Sequence, residues 1–230
     1  MTPAIAAALE ATWPPASVRR VGPWLLRDGA GGGKRVSAAT LEGAWREGDI
    51  AKAEAAMSQP LFMIREGQTA LDRELQERLY QVIDPVVIYA APVASLTATL
   101  PPLACFPHWP PLEIARGFWA EGDIGPARLA VMARVAGPKA ALLGRSQDRA
   151  AGVAFVACHQ GVAMVHALEV APAMRRQGLG RTLLQGAANW AAGQQAETLA
   201  LAVTVANTGA RGLYASLGMQ AVGQYHYRQR

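Results

Sequence analysis

The chain has 230 residues, 51% hydrophobic and 17% charged, which excludes disorder as the main state and allows a buried core without disulfides or metals. Its two cysteines, Cys105 and Cys158, form no CxxC pattern, which excludes a disulfide scaffold and a cysteine-rich zinc site and fits a reducing cytoplasm. The net charge of +5 is spread along the chain: no basic-aromatic ribbon points to nucleic acid, and no apolar run is long enough to span a bilayer.

The amino terminus is apolar but lacks a basic n-region, so it reads as a helix over Ala4 to Thr12, stopped by Pro14-Pro15, and not as a signal peptide. Trp24 to Arg27 and Arg35 to Ala38 read as short strands around a glycine turn. Asp49 is placed to cap a helix running through Ala56, and Leu61 to Ile64 is an apolar strand. Leu71, Leu75, Leu79 and Val82 fall at helical spacing up to Asp84-Pro85, and Val86 to Tyr89 is a further strand. Pro92, Pro101, Pro102, Pro107, Pro110 and Pro111 then mark a linker over residues 96–111, dividing a first part, 1–95, from a second, 112–230.

In the second part, Leu112 to Val135 is helical with an interruption at Gly122 to Pro126. Strands come next at Lys139 to Leu143, Gly152 to Cys158 and Val162 to Val170, with Pro172 closing the last. Gly178 to Ala192 is an amphipathic helix, Leu199 to Val203 a buried strand, Gly209 to Leu217 a short helix and Ala221 to Tyr227 a final strand. Alternation of this kind implies an α/β or α+β sheet protein.

Two segments resemble anion-binding loops. Gly29 to Arg35, GAGGGKR, fails the P-loop pattern: Asp28 stands where a glycine is needed and Arg35 where a hydroxyl would hold magnesium. It reads as a flexible hairpin tip. The second segment, Arg175-Arg176-Gln177-Gly178-Leu179-Gly180-Arg181, lies between a strand and an amphipathic helix. Its glycines let the backbone approach a ligand, the helix after it begins with unpaired N–H groups, and three arginines add charge; together these suit a phosphate or pyrophosphate.

Downstream stand Asn207, Ala210, Leu213-Tyr214 and Gly218-Met219. With Leu168 to Pro172 and Arg175 to Gly180, this constellation resembles the GNAT superfamily of acetyl-CoA-dependent N-acetyltransferases, from about Leu112 to the C-terminus. The resemblance implies a mixed, mostly antiparallel sheet flanked by helices. It implies that Arg175, Arg176, Gln177, Gly178, Leu179, Gly180 and Arg181 cradle the pyrophosphate of acetyl-CoA. Leu168 and Val170 would pair with the pantetheine arm across a bulge, and Asn207 would hydrogen-bond that arm or cap its own helix. Tyr214 occupies the place of the acid that protonates the departing thiolate. The base is open between His166, Glu169 and a bound water, and 166 and 169 share a face only if the bulge lies between them.

The expected reaction is direct acetyl transfer to an amine, with no metal, nucleic acid or membrane involved; the acceptor is unidentified and a homodimer is left open. The alternative is a non-catalytic acyl-CoA-binding or sensing protein. Trp109 and Trp119 read as core or pocket wall, Cys158 as a buried small hydrophobe, and Tyr225, Tyr227 and Arg228 as a border of the acceptor site. The first part has strands and helices in a similar order but Arg65-Glu66-Gly67-Gln68 before the Leu71 helix, so it is expected to be a degenerate, cofactor-free copy that shapes the acceptor cleft.

Overall fold

The structure is a computed structural model describing residues 1–230. The first part contains α1 (Pro3–Ala11), β1 (Ser17–Val21), β2 (Trp24–Asp28), β3 (Thr40–Leu41), α2 (Glu47–Ala55), β4 (Leu61–Arg65), α3 (Thr69–Glu77), β5 (Gln81–Pro92) and α4 (Val93–Leu96). Next come β6 (Cys105–His108), α5 (Glu113–Glu121), α6 (Pro126–Arg134), β7 (Lys139–Ser146), β8 (Arg149–His159) and β9 (Val162–Val170). The chain ends with α7 (Leu179–Gly193), β10 (Thr198–Thr204), α8 (Thr208–Ser216) and β11 (Gln220–Gln229). Eight strands form one sheet in the order β4-β11-β5-β10-β9-β8-β7-β6, with β1, β2 and β3 as a smaller second sheet. Within the large sheet only the β9–β10 pairing is parallel. This is the mixed, mostly antiparallel, helix-flanked sheet expected.

Both faces of β8 are covered, which explains its unbroken apolar run. Ala154 and Val156 pack under Leu183, Leu184, Ala187 and Ala191 of α7. Val153, Phe155 and Ala157 meet Trp119 of α5 and Val131 and Met132 of α6 on the other side. Each fully buried Leu or Phe contributes about 1.5–3 kcal/mol, so this sandwich holds the site's frame.

The two parts share a pairing scheme. Each runs strand–helix–strand–helix–strand, β3-α2-β4-α3-β5 and β9-α7-β10-α8-β11. In each, the approach of the first two strands is parallel: Ala39 bridges Phe62 beside β3, and β9 pairs β10. The last strands then cross over, β5 pairing β10 and β11 pairing β4, with β5 and β11 joined at the centre. The first part therefore completes the sheet of the second. By this topology the counterpart of α7 is α2, not the Leu71 helix.

Several local expectations change. Residues 81–84 belong to β5, because α3 ends at Glu77 and the chain from Gln81 onward pairs into the sheet. The proline-rich segment 96–111 contains β6, an edge strand where Pro107 is tolerated. Arg35 to Ala38 is not a strand: Lys34–Val36 is a 3-10 turn, and β2 pairs with β1 and β3.

Candidate active site

The parallel pairing of β9 and β10 stops at Val165–Leu201, while β10 stays paired to β5 as far as Thr204. Beyond that point β9 and β10 diverge and leave a wedge. At its rim β9 carries a bulge: Phe155 faces His166 and Val153 faces Glu169, so Ala167 and Leu168 together oppose Ala154. Ala167 takes φ 50°, and the buried Trp119 indole donates to its carbonyl at 2.8 Å. The bulge reverses the side-chain parity. Before it, Ala163 and Val165 face α7; after it, Leu168 and Val170 do. His166 and Glu169 thus fall on one face, with three residue steps and one bulge between them.

On the α7 side, a cleft of about 480 Å³ is lined by Leu168, Glu169, Val170, Arg175, Arg176, Gly178, Leu179, Gly180, Arg181, Asn207 and Tyr214. Gly178 is the N-cap of α7 at φ 88°, ψ −10°, a left-handed conformation natural to glycine, and no side chain caps the helix. Its first turn holds no acidic residue, so the free N–H groups and partial positive charge face the cleft unneutralised. A Cβ on Gly180 would lie 2.9 Å from Leu213 Cδ2, so this glycine lets α8 close on α7. Arg175 Nε donates to the Val170 carbonyl at 3.0 Å, Gln177 Nε2 to that of Ala173 at 3.0 Å, and Arg181 Nη2 to Ser216 Oγ at 3.0 Å; Arg176 sits at φ 63°. The counterpart helix α2 is different: Asp49 in its first turn accepts from the Arg46 N–H at 3.0 Å, placing a carboxylate where α7 leaves its end open.

Asn207 caps α8 through Ala210 N–H at 3.0 Å, leaving its amide NH₂ over the cleft. Tyr214 is buried on α8 against Tyr89, ring centroids 5.7 Å apart. Burial, with the Glu169 charge adding to it, pushes its hydroxyl up to about 12. Glu169 is half-buried; burial raises its carboxyl above the usual range, against the pull of Arg175 and Arg128.

His166 is buried with both ring nitrogens engaged. Arg35 Nη2 donates to Nδ1 at 3.1 Å, which assigns the proton to Nε2, and Nε2–H donates to Thr12 Oγ1 at 2.8 Å. Thr12 in turn donates to the Ala8 carbonyl at 2.6 Å. Burial first, and the Arg35 charge second, hold the ring well below 6.5, hence neutral. In this arrangement no lone pair of His166 is free to take an amine proton.

A second cleft, of about 310 Å³, opens on the other side of the wedge, lined by Trp13, Gly32 to Arg35, Asp84, Val86, Ile124, Arg128, His166, Ala167, Ala202 to Thr204, Tyr225 and Tyr227. The GAGGGKR segment is therefore a packed wall rather than a flexible tip. A Cβ on Gly32 would lie 2.4 Å from Val131 Cγ2, so its glycines serve close approach to α6. Sequence reasoning passed over Trp13 and Arg35; the only signal available was an Arg beside a glycine run. Arg228 faces the opposite way, with Nε on Asp72 at 2.8 Å and Nη1 on the Tyr80 carbonyl at 2.8 Å, and takes no part in this cleft. Cys158 is a buried thiol pushed up to about 11, and no helix is long and apolar enough to cross a membrane.

A bulged strand, an open wedge and an uncapped helix end thus meet at one cleft, with a chemistry suited to an anion. Residues 109–219 match the model of the Acetyltransferase (GNAT) family, and the chain carries a domain of that family. A GCN5-related N-acetyltransferase from Kribbella flavida shares the fold at 21% identity and TM-score 0.73, over 100% of this chain and 96% of that one. An acetyltransferase of the GNAT family from Novosphingobium aromaticivorans aligns at 16% identity and TM-score 0.58, over 92% and 89%. A tandem GNAT protein from the clavulanic acid biosynthesis pathway aligns at 13% and 0.63, over 96% and 86%. No curated protein matches the sequence.

Proposed function

We propose that this protein transfers the acetyl group of acetyl-CoA directly to the amine of a small acceptor. The observation that carries the reading is the uncapped N-terminus of α7 at the mouth of a wedge whose wall holds Tyr214. The residues present fit acetyl-CoA: the free N–H groups at Gly178 to Arg181 hold its pyrophosphate, with Arg175, Arg176 and Gln177 around them, and Leu168, Val170 and Asn207 face its arm. Bound there, it supplies an activated thioester at the bulge.

The chain's own groups move the protons. Glu169, its carboxyl raised by burial, accepts the amine proton through a water. Tyr214, protonated throughout the working range, gives its proton to the leaving sulfur. A C–N bond forms as the C–S bond breaks, and one proton lost from the amine balances one gained by the thiol. His166 acts as a positioning residue for Arg35 rather than as the base. The first part of the chain is a degenerate copy: it supplies Trp13, Arg35, Asp84 and Val86 to the acceptor side, and Asp49 fills its own helix end. Two free thiols fit work in a reducing cytoplasm.

The test is a melting curve with acetyl-CoA against an adenosine diphosphate control, then thiol release over an amine panel. An acetyl-CoA-specific rise with thiol release supports transfer. A rise without release from any amine reduces the protein to an acyl-CoA sensor, and no rise at millimolar ligand removes the cofactor assignment.

A further inference from the structure

Several cations of the first part and the last strand are paired with carboxylates. Arg27 and Arg65 meet Glu10, Arg78 meets Glu74, Arg228 meets Asp72, and Lys34 meets Asp84 at 2.8 Å. Arg35, on the wall of the acceptor-side cleft, has no carboxylate partner. Its guanidinium carbon lies 5.2 Å from the centre of the Trp13 ring, one Nη is spent on neutral His166, and its Nε is buried with no partner at all. Leaving a buried guanidinium donor unmatched is costly, and costlier without a counter-charge. Across the cleft, Arg128 reaches over Gly33 and donates to the Asp123 carbonyl at 3.4 Å; the charge it faces is Glu169. The remaining charged groups at the cleft, Lys34 and Asp84, cancel one another.

The other walls are apolar or aromatic: Val86, Ile124, Tyr225 and Tyr227. At about 310 Å³ the cleft is at the small end for ligand sites. We propose that the acceptor is a small amine bearing a carboxylate, an amino acid with an apolar side chain, whose carboxylate docks on Arg35. A planar carboxylate accepts from the guanidinium N–H groups that face the cleft and that His166 leaves free, the pairing for which arginine geometry is suited. The His166–Thr12–Ala8 chain holds Arg35 in register from behind, and the aromatic walls take the side chain. A polyamine would bring like charge to Arg35. This inference rests on the acetyl-transfer reading and narrows its acceptor.

The experiment compares matched acceptors that differ only in the carboxylate: L-phenylalanine against 2-phenylethylamine, and L-leucine against 3-methylbutylamine, in thiol release from acetyl-CoA by the full chain. The acid-bearing member of each pair is expected to have kcat/KM about 10- to 100-fold higher, the range of a charge-assisted bond. Arg35→Gln should abolish the preference through KM of the amino acid, and Arg35→Lys should restore part of it. Equal or reversed rates in the wild-type pairs overturn the proposal without reference to any variant. If no amine releases thiol, the transfer reading falls separately. The carboxylate site is then read by melting, in acetyl-CoA-loaded protein, with 3-phenylpropanoate against 3-phenylpropanol. A rise specific to the acid and lost in Arg35→Gln sustains it, and no difference refutes it.

Discussion

Arg181→Asp should separate the stability of the cradle from its binding. Arg181 stands at the third position of α7, as Asp49 does in α2, and each helix has glycine just before it, Gly180 and Gly48. In the free protein the exchange removes a cation from the positive end of a helix and adds an anion, each favourable by about 0.3–1 kcal/mol. Loss of the exposed bond to Ser216 returns about 0.5 kcal/mol. The net gain of about 0–1.5 kcal/mol corresponds to a melting point that holds or rises by up to about 5 °C in a chain of this size. Binding moves the other way. A charge pair at about 6 Å near a surface is worth about 3 kcal/mol, and exposure and salt cut this by more than half. The two-unit swing beside a diphosphate therefore costs about 2–3 kcal/mol, or about 100-fold in affinity. At ligand 100 times the wild-type Kd, the stabilisation of about 2.7 kcal/mol falls to about 0.4 kcal/mol. Melting with and without acetyl-CoA measures both quantities. A variant that keeps the wild-type increment would show that the diphosphate is not at this helix end, and a clear fall in the free protein would show that the end is not open.

Three further outcomes are expected of the reacting groups, and one of His166. Tyr214→Phe keeps the acetyl-CoA melting increment but lowers kcat by about 10²–10⁴, read by thiol release; a normal kcat removes Tyr214 as the acid. Glu169 ionises above its ordinary 4.5, so kcat/KM rises with pH along a limb displaced above that value, and Glu169→Gln flattens it. Gly122→Ala should lower kcat with little loss of stability, because the new methyl lies 2.7 Å from Glu169 Cδ and a side-chain end can yield; unchanged kinetics would place the carboxylate outside the reaction. His166 binds fewer protons folded than unfolded, since its ring is held well below 6.5. Its contribution to stability is therefore fully present above about pH 6.5 and is lost as pH falls below it, with a slope of at most about 1.4 kcal/mol per pH unit. Denaturant midpoints between pH 7 and 5 should fall in the wild type and flatten in His166→Gln; parallel curves would refute the neutral assignment.

The chemistry legible in the sequence was the part that is local in the chain. The open end of α7 comes from glycines and arginines within seven residues, and the amphipathic period of Leu183, Leu184 and Ala187 places that helix on a sheet. Strand order was not legible, because β5 enters between β10 and β11 through pairings more than a hundred residues apart. The expectation for the glycine run erred because open space and crowding look alike in one dimension. Gly29 to Gly33 suggested freedom, yet Gly32 is small because Val131, 99 positions later, leaves no room for a methyl.

His166 shows the same limit at the level of chemistry. Its residue type and strand position were those of a base, and its face relative to Glu169 depended on a bulge, which is present. Its partners lie 154 and 131 positions away, and they decide its role: Thr12 takes its one proton and Arg35 its one lone pair. A neutral imidazole so saturated has nothing left for an amine, but it fixes a guanidinium whose Nε stays unmatched. A side chain that could have been the base thus orients a cation from the first part of the chain toward the acceptor cleft. On the proposed acetyl-transfer reading this gives the first part of the chain a function, since Trp13 and Arg35 would form a wall of the acceptor site that the second part lacks.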